Sequence, residues 1–480
     1  MSQKNETAVL VLSLLITIGL AGAGIWWLTS RKDTNIGGLS PENPTISKSP
    51  TGNSPQSEQQ IQQRLSAGKK LLIPEKATTT KQSAIQAIAS SNYNAAISDL
   101  QASLKTNRND PEALIYLNNA RIGDRKSYTI AAAVPIGADI NGALEILRGV
   151  AQAQNEINQS GGISGTPLKV LIANDDNNPE IASQIASALA ENSEILGVIG
   201  HFSSDTTLAA SKIYQQNQLV AISPTSTSVQ LSGVGSNIFR TVPSDRFAAN
   251  ALSRYMLTKL QKQKAAVFFN SASGYSKSLK SEFTTALYGD GGQVVSEFDF
   301  SKGNFNAAES VKSAIAQGAE VIMLAANSAT LDQALQVVQV NAKNAKRLPL
   351  LAGDDAYTAK TLQIGGAAAA DMVLAVPWHI LADPQSNFLQ TSKQLWNAEV
   401  SWRTALAYDA AIALIVGLGR NPTRAGIQQA LSASDFSAKG ASGSIRFLPS
   451  GDRNRAVQLV IVQPGNRTSY GYEFVPISGL

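Results

Sequence analysis

Two short hydroxyl-rich runs carry the most chemistry in this chain: His201–Phe202–Ser203–Ser204 and Ser223–Pro224–Thr225–Ser226–Thr227. Each follows directly on an apolar run with the character of a buried strand, Ile195–Ile199 and Val220–Ser223. Open parallel sheets hold small ligands at the carboxyl ends of their strands. Both runs therefore fall where a ligand would be held. They offer hydroxyls and free backbone N–H groups but no nucleophile–base pair. That combination fits a protein that grips a small polar molecule without transforming it, and an enzyme is not expected.

Other chemistries are poorly supplied. The 480 residues include no cysteine, which removes disulfides, thiolate metal sites and thiol catalysis. Only two histidines, His201 and His379, are present, so a metal or acid–base site built on imidazole has few routes. Asp175–Asp176 reads as a solvated loop or helix cap, not a metal site. No cofactor motif stands in a usable context. The net charge of +5 is small for this length and is not gathered into a basic patch, so nucleic-acid binding is not expected. With 43% hydrophobic and 16% charged residues, the chain is globular in composition and long enough for two or more domains.

The elements that must position the two loops are legible from Tyr128 onward. Continuous Val/Ile/Leu/Ala runs at Tyr128–Val134, 168–173, Ile195–Ile199, Val220–Ser223, 265–269, 294–300, Val321–Ala325, Leu350–Ala352 and 372–376 read as strands covered on both faces. Amphipathic helices are expected between them, among them Ile140–Gln159, Pro179–Glu191, 205–216, 273–288 and 358–364. The series repeats in two blocks. A third stretch returns to the first block and a tail to the second. The fold class is therefore α/β, with two Rossmann-like lobes joined by a multi-crossing hinge. The first lobe is 127–245 with 377–442, and the second is 246–376 with 443–480.

The amino-terminal part is different. Ala8 to Leu28 is an uncharged apolar run of about 21 residues, roughly 30 Å as a helix and enough to span a bilayer. Residues 1–32 thus form a transmembrane anchor or a signal segment; Ala21–Gly22–Ala23 would suit cleavage. Residues 33–66, rich in Ser, Pro, Asn and Gln, read as a disordered linker. Residues 67–126 show helical spacing, with a turn at Asn109–Asp110–Pro111, and resemble a tetratricopeptide-like hairpin plus one further helix. This segment is either a spacer packed on the main domain or a partner-docking module.

A family resemblance emerges from the order of several signals. Val134–Pro135–Ile136–Gly137, the run Gly149 to Asn158, Gly161–Gly162–Ile163–Ser164–Gly165 and Asn174–Asp175–Asp176 are followed by Val198–Ile199–Gly200–His201 and Ile222–Ser223–Pro224. Phe239–Arg240–Thr241 and Ala407–Tyr408–Asp409–Ala410 complete the series. Over about 127 to 475, the chain resembles the type I periplasmic solute-binding proteins of the branched-chain amino acid group, which serve ABC transporters. The resemblance implies first-lobe ligand contacts from Ser203, Ser204, Thr225 and Thr227. It implies second-lobe contacts from Tyr275 and, toward an ammonium, Asp355. His201 and Trp378 are candidate cleft-lining residues, each with the alternative of a purely packed role. Asp205 is expected to cap its own helix.

The resemblance also implies the setting: the periplasmic side of a bacterial inner membrane, anchored by the amino-terminal helix or exported after its cleavage. The expected partners are a small solute, ABC permease subunits and the membrane. The alternative output is ligand sensing, with the helical segment docking a signalling partner.

Overall fold

The computed structural model describes residues 55–477. The apolar run at Ala8–Leu28 and residues 33–54 of the linker lie outside them. The linker expected to run to Ser66 gives way earlier, to a helix at Pro55–Gln63 and a two-residue strand β1 (Leu65–Ser66). That strand pairs antiparallel with β3 (Leu168–Asn174) of the first lobe. Two residues carry no readable period, so the sheet neighbour, not local propensity, decides their conformation.

Three helices follow, Thr79–Ala89, Tyr93–Thr106 and Pro111–Ile122, each started by a side-chain cap from Thr78, Asn92 and Asp110. The third is buried along nearly its whole length. It is joined to the first lobe by Asn119, whose side chain donates to the Val170 carbonyl and accepts the Val170 N–H. An ion cluster closes this segment: Lys81 Nζ lies 2.7 Å from Asp110 and 2.8 Å from Glu112, all three side chains almost wholly buried.

The first lobe is a six-stranded sheet in the order β1-β3-β2-β4-β5-β6, where β2 is Tyr128–Val134, β4 Ile195–Ile199, β5 Val220–Ser223 and β6 Ile238–Arg240. Apart from β1 all its pairings are parallel. The second lobe is a seven-stranded sheet in the order β15-β14-β11-β10-β9-β7-β8. Its strands are β7 (Lys264–Phe269), β8 (Gln293–Asp299), β9 (Val321–Ala325), β10 (Leu350–Ala352), β11 (Val373–Val376), β14 (Gln458–Pro464) and β15 (Tyr472–Pro476). The last two return antiparallel.

Most expected elements stand within two residues of the observed ones. The helix expected over 358–364 is instead a short π-helix, Thr361–Gly365, followed by a 3-10 turn.

The third stretch packs on the first lobe. Helix Trp402–Arg420 lies along Ile140–Gln159. It is apolar and long enough to span a membrane, but most of it is buried in the lobe core. The return to the second lobe comes later than 443. The hairpin of β12 (Ala438–Gly440) and β13 (Gly443–Ile445) is completed first, and the chain crosses between Ile445 and Gln458. Two arginines pin that crossing: Arg453 to the buried Asp409 at 2.8 Å, and Arg240 to Asp452 at 2.6 Å.

Both sheets reverse their strand order next to the strand that starts the lobe: between β2 and β4 in the first, and between β7 and β9 in the second. Crevices at the strand ends open at such switch points. The two crevices face each other across the hinge.

Candidate functional site

A cavity of about 410 Å³ lies between the lobes. From the first lobe it is lined by Asn177 and Pro179 after β3, by Phe202–Ser203–Ser204–Asp205 after β4, and by Thr225 after β5. From the second it is lined by Asn270, Ala272, Ser273 and Tyr275 after β7, by Asn327–Ser328–Ala329 after β9, and by Asp354–Asp355 after β10. The loops are short because helices begin almost at once, and their caps hold the loop geometry. Ser203 caps helix Ser204–Gln216 by accepting the Thr206 N–H, and Ser273 caps helix Gly274–Gly289 by accepting the Ser276 N–H.

The hydroxyls already have internal partners, which sets what each can still do. Ser204 Oγ accepts the Ser228 N–H at 3.2 Å and keeps its own proton to donate. Thr225 Oγ1 donates to the Phe202 carbonyl at 2.6 Å, so toward a ligand it can only accept. Ser203 is absorbed in its cap. The Tyr275 hydroxyl donates to Asp354 at 2.7 Å. Gly353 permits this approach, because a Cβ there would collide with the tyrosine hydroxyl.

Of the residues expected at the ligand, Ser203, Ser204, Thr225, Tyr275 and Asp355 share this cavity. Thr227 does not line it. It is buried in the following loop, where its carbonyl accepts the Asp245 N–H at 2.8 Å. His201 is sealed off as well. Its ring is fully buried, with Nδ1 2.5 Å from Asp175 and Nε2 2.9 Å from the Tyr214 hydroxyl. Asp175 is therefore a buried partner, not a solvated loop residue. The pair does not amount to a catalytic relay. The nearby hydroxyls of Thr207, Ser223 and Ser226 bond to the His201 carbonyl and leave the ring alone. Trp378 is not cleft-lining; it packs against Phe388 at the hinge with 2% exposure.

Two features were not read from the sequence. Asp205 does more than stand in its own first helical turn. Its carboxylate reaches across to the other lobe and accepts the Gly274 N–H, at 2.9 and 3.1 Å from its two oxygens. A first-lobe acid thus docks on the positive end of a second-lobe helix. Gly274 is required there, since an added Cβ would strike the Asp205 carboxylate. The second feature is Arg403, on the first-lobe side of the hinge. It donates to Asp355 at 2.9 Å and to the Tyr357 carbonyl at 3.2 Å. Asp355 therefore meets the cavity already paired. A further bond between lobes runs from the Val229 N–H to Ser278 Oγ at 3.0 Å.

The electrostatics follow from this pairing. Burial, and next the adjoining Asp355 carboxylate, push Asp354 up to about 7. Burial raises Asp355 as well, against the pull of Arg403. Asp245, buried at the start of its helix, is pushed by burial up to about 6. Among the described residues, no group of three His, Cys, Asp or Glu side chains is placed to hold a metal ion.

Known proteins share this architecture. The periplasmic binding protein family matches residues 135–467. An amino acid binding protein of Pseudomonas aeruginosa is 33% identical over 132 residues, which is 27% of this chain and 35% of that protein. A Leu/Ile/Val-binding protein homologue of Brucella abortus is 31% identical over 140 residues, 28% of this chain and 38% of that protein. The chain thus aligns with little more than a third of the length of these curated relatives. In three dimensions, an ABC transporter substrate-binding protein of Desulfitobacterium hafniense in complex with Leu superposes with a TM-score of 0.61 at 23% identity. That superposition covers 73% of this chain and 100% of the other, and it shows a common fold.

Proposed function

The chain belongs to the periplasmic binding protein family, and on that footing we propose that it is the extracytoplasmic solute-binding component of an ABC-type uptake system. It takes an amino acid or a related small polar solute into the cleft by hinge closure, without chemical change. A permease then recognises the closed form. The observation that carries this reading is the 410 Å³ cavity, which draws hydroxyls and carboxylates from both lobes. Ser204 has a proton to donate to a ligand carbonyl or carboxylate. Thr225 and Asp354 accept from an ammonium. Ligand charges removed from water need such partners to be held at all.

The test is a thermal-shift titration of the full chain in detergent against amino acids and their amides. A ligand at about 100 times its Kd stabilises by about 2.7 kcal/mol. Ser204→Ala and Tyr275→Phe are expected to shrink that shift. Retention of the full shift in both variants would place the ligand elsewhere.

A further inference from the structure

Resting on the solute-binding reading, we infer that the ligand carries a net positive charge: a basic amino acid or similar amine, not an apolar zwitterion. Among the described residues, three carboxylates line the cavity, Asp205, Asp354 and Asp355, and no lysine, arginine or histidine does. A nearby cation, Arg403, stands behind Asp355 and also serves the Tyr357 carbonyl. It offsets one acid and leaves an excess of negative charge facing the ligand.

The end of the cavity best suited to an anion is compromised in the same way. Helix Ser204–Gln216 would favour a carboxylate at its amino terminus, but Asp205 already occupies its first turn. A ligand carboxylate held by Ser204 would lie close to that fixed charge, in a site where Coulomb terms are weakly screened. A second positive group on the ligand resolves the conflict. Phe202 and Tyr275 also line the cavity, and aromatic surfaces attract organic cations. An inorganic divalent ion is the poorer occupant, since no three acids in the described residues are placed to ligate one.

The pH response follows. The groups acting on Asp354 are Asp355, Tyr275, Asp245 and, from behind Asp355, Arg403. Asp354, pushed up to about 7, is part-protonated near neutrality. A bound cation favours its ionised form, so binding expels a proton and strengthens as pH rises through 7.

Titration calorimetry of the full chain in detergent with L-arginine, L-lysine and L-leucine, at pH 6 and pH 8, tests this. Arginine or lysine is expected to bind at least tenfold tighter than leucine at pH 8, and several-fold more weakly at pH 6. Asp354→Asn should abolish most of the preference and its pH dependence while leaving the fold intact by circular dichroism. Leucine binding as tightly as the basic amino acids, in a manner sensitive to Tyr275→Phe, would overturn the charge assignment and leave the solute-binding reading standing. Binding of none of the three, nor of any other amino acid or amine, would overturn both.

Discussion

The helical segment and the Asp354–Asp355 end of the cleft each bring two acids and one base together, and the two clusters behave differently. In the segment, Lys81 touches both Asp110 and Glu112. Asp110 also caps the Pro111 helix through the Ala113 N–H, and Glu112 takes the Leu72 N–H and the Tyr116 hydroxyl. The cation is shared, and the cluster faces only protein. In the cleft, Arg403 reaches one acid of the pair; the other, Asp354, has a neutral tyrosine and an open cavity. The same stoichiometry is closed in one place and left one charge short in the other. A closed cluster fastens structure; a cluster one charge short beside a cavity is completed from outside.

The largest expected effect falls on the closed cluster. Lys81→Met strands two buried acids and should cost about 3–5 kcal/mol in denaturant unfolding, with ligand affinity unchanged. A loss below about 1 kcal/mol would break the contrast, since it would mean the cluster is not the fastening it resembles.

Asp354→Asn addresses the open cluster. The folded-state pKa of Asp354 is raised, to about 7, above its ordinary value. The folded state therefore binds more protons than the unfolded one across the window from about 4 to 7. Stability from this group is full below that window and is lost as pH rises through it. The asparagine variant keeps an acceptor for Tyr275 and should gain on the order of 1–3 kcal/mol at pH 8, with little change at pH 4. Equal gains at both pH values would mean that charge is not the cause.

A smaller effect is expected at the bridge between lobes. Asp205→Asn keeps an acceptor for the Gly274 N–H but removes the charge facing that helix end. It should weaken closure by about 0.5–1 kcal/mol, visible as a more open scattering profile without ligand. An unchanged profile would make the contact incidental. Least of all is expected from Thr227→Val, which lies off the cavity lining. Affinity should shift by less than about twofold, because the buried side chain lies outside the cavity lining and sites that share no partner are nearly independent. A larger loss would restore Thr227 to the ligand.

These contrasts also mark how far the sequence could be read. Strands such as Tyr128–Val134 and helices such as Ile140–Gln159 were legible because their signals are local: β-branched runs, apolar periodicity and a capping residue at the start. The hydroxyl loops were legible for the same reason, since they follow those strands. That Thr227 lies off the cavity lining was not legible, because a residue two positions along a loop can turn either way without altering the local pattern, and the same ambiguity left Trp378 open between the cleft and a packed role. Arg403 carried one weak signal, its place at the start of a helix after Ser401. Nothing near it in the chain announces Asp355, 48 residues away.

By itself, then, the sequence determined the α/β class, the two-lobe order and which loops meet at the strand ends, because near-neighbour sterics and periodic burial govern those. The charge of the cleft was decided only in three dimensions. Asp205 finds a helix end 69 residues away in the chain, Arg403 neutralises one of two adjacent acids, and burial withholds the water that would have screened the other. Electrostatic energies in a protein interior depend on distance and solvent exclusion, and neither is a property of the residues taken in order.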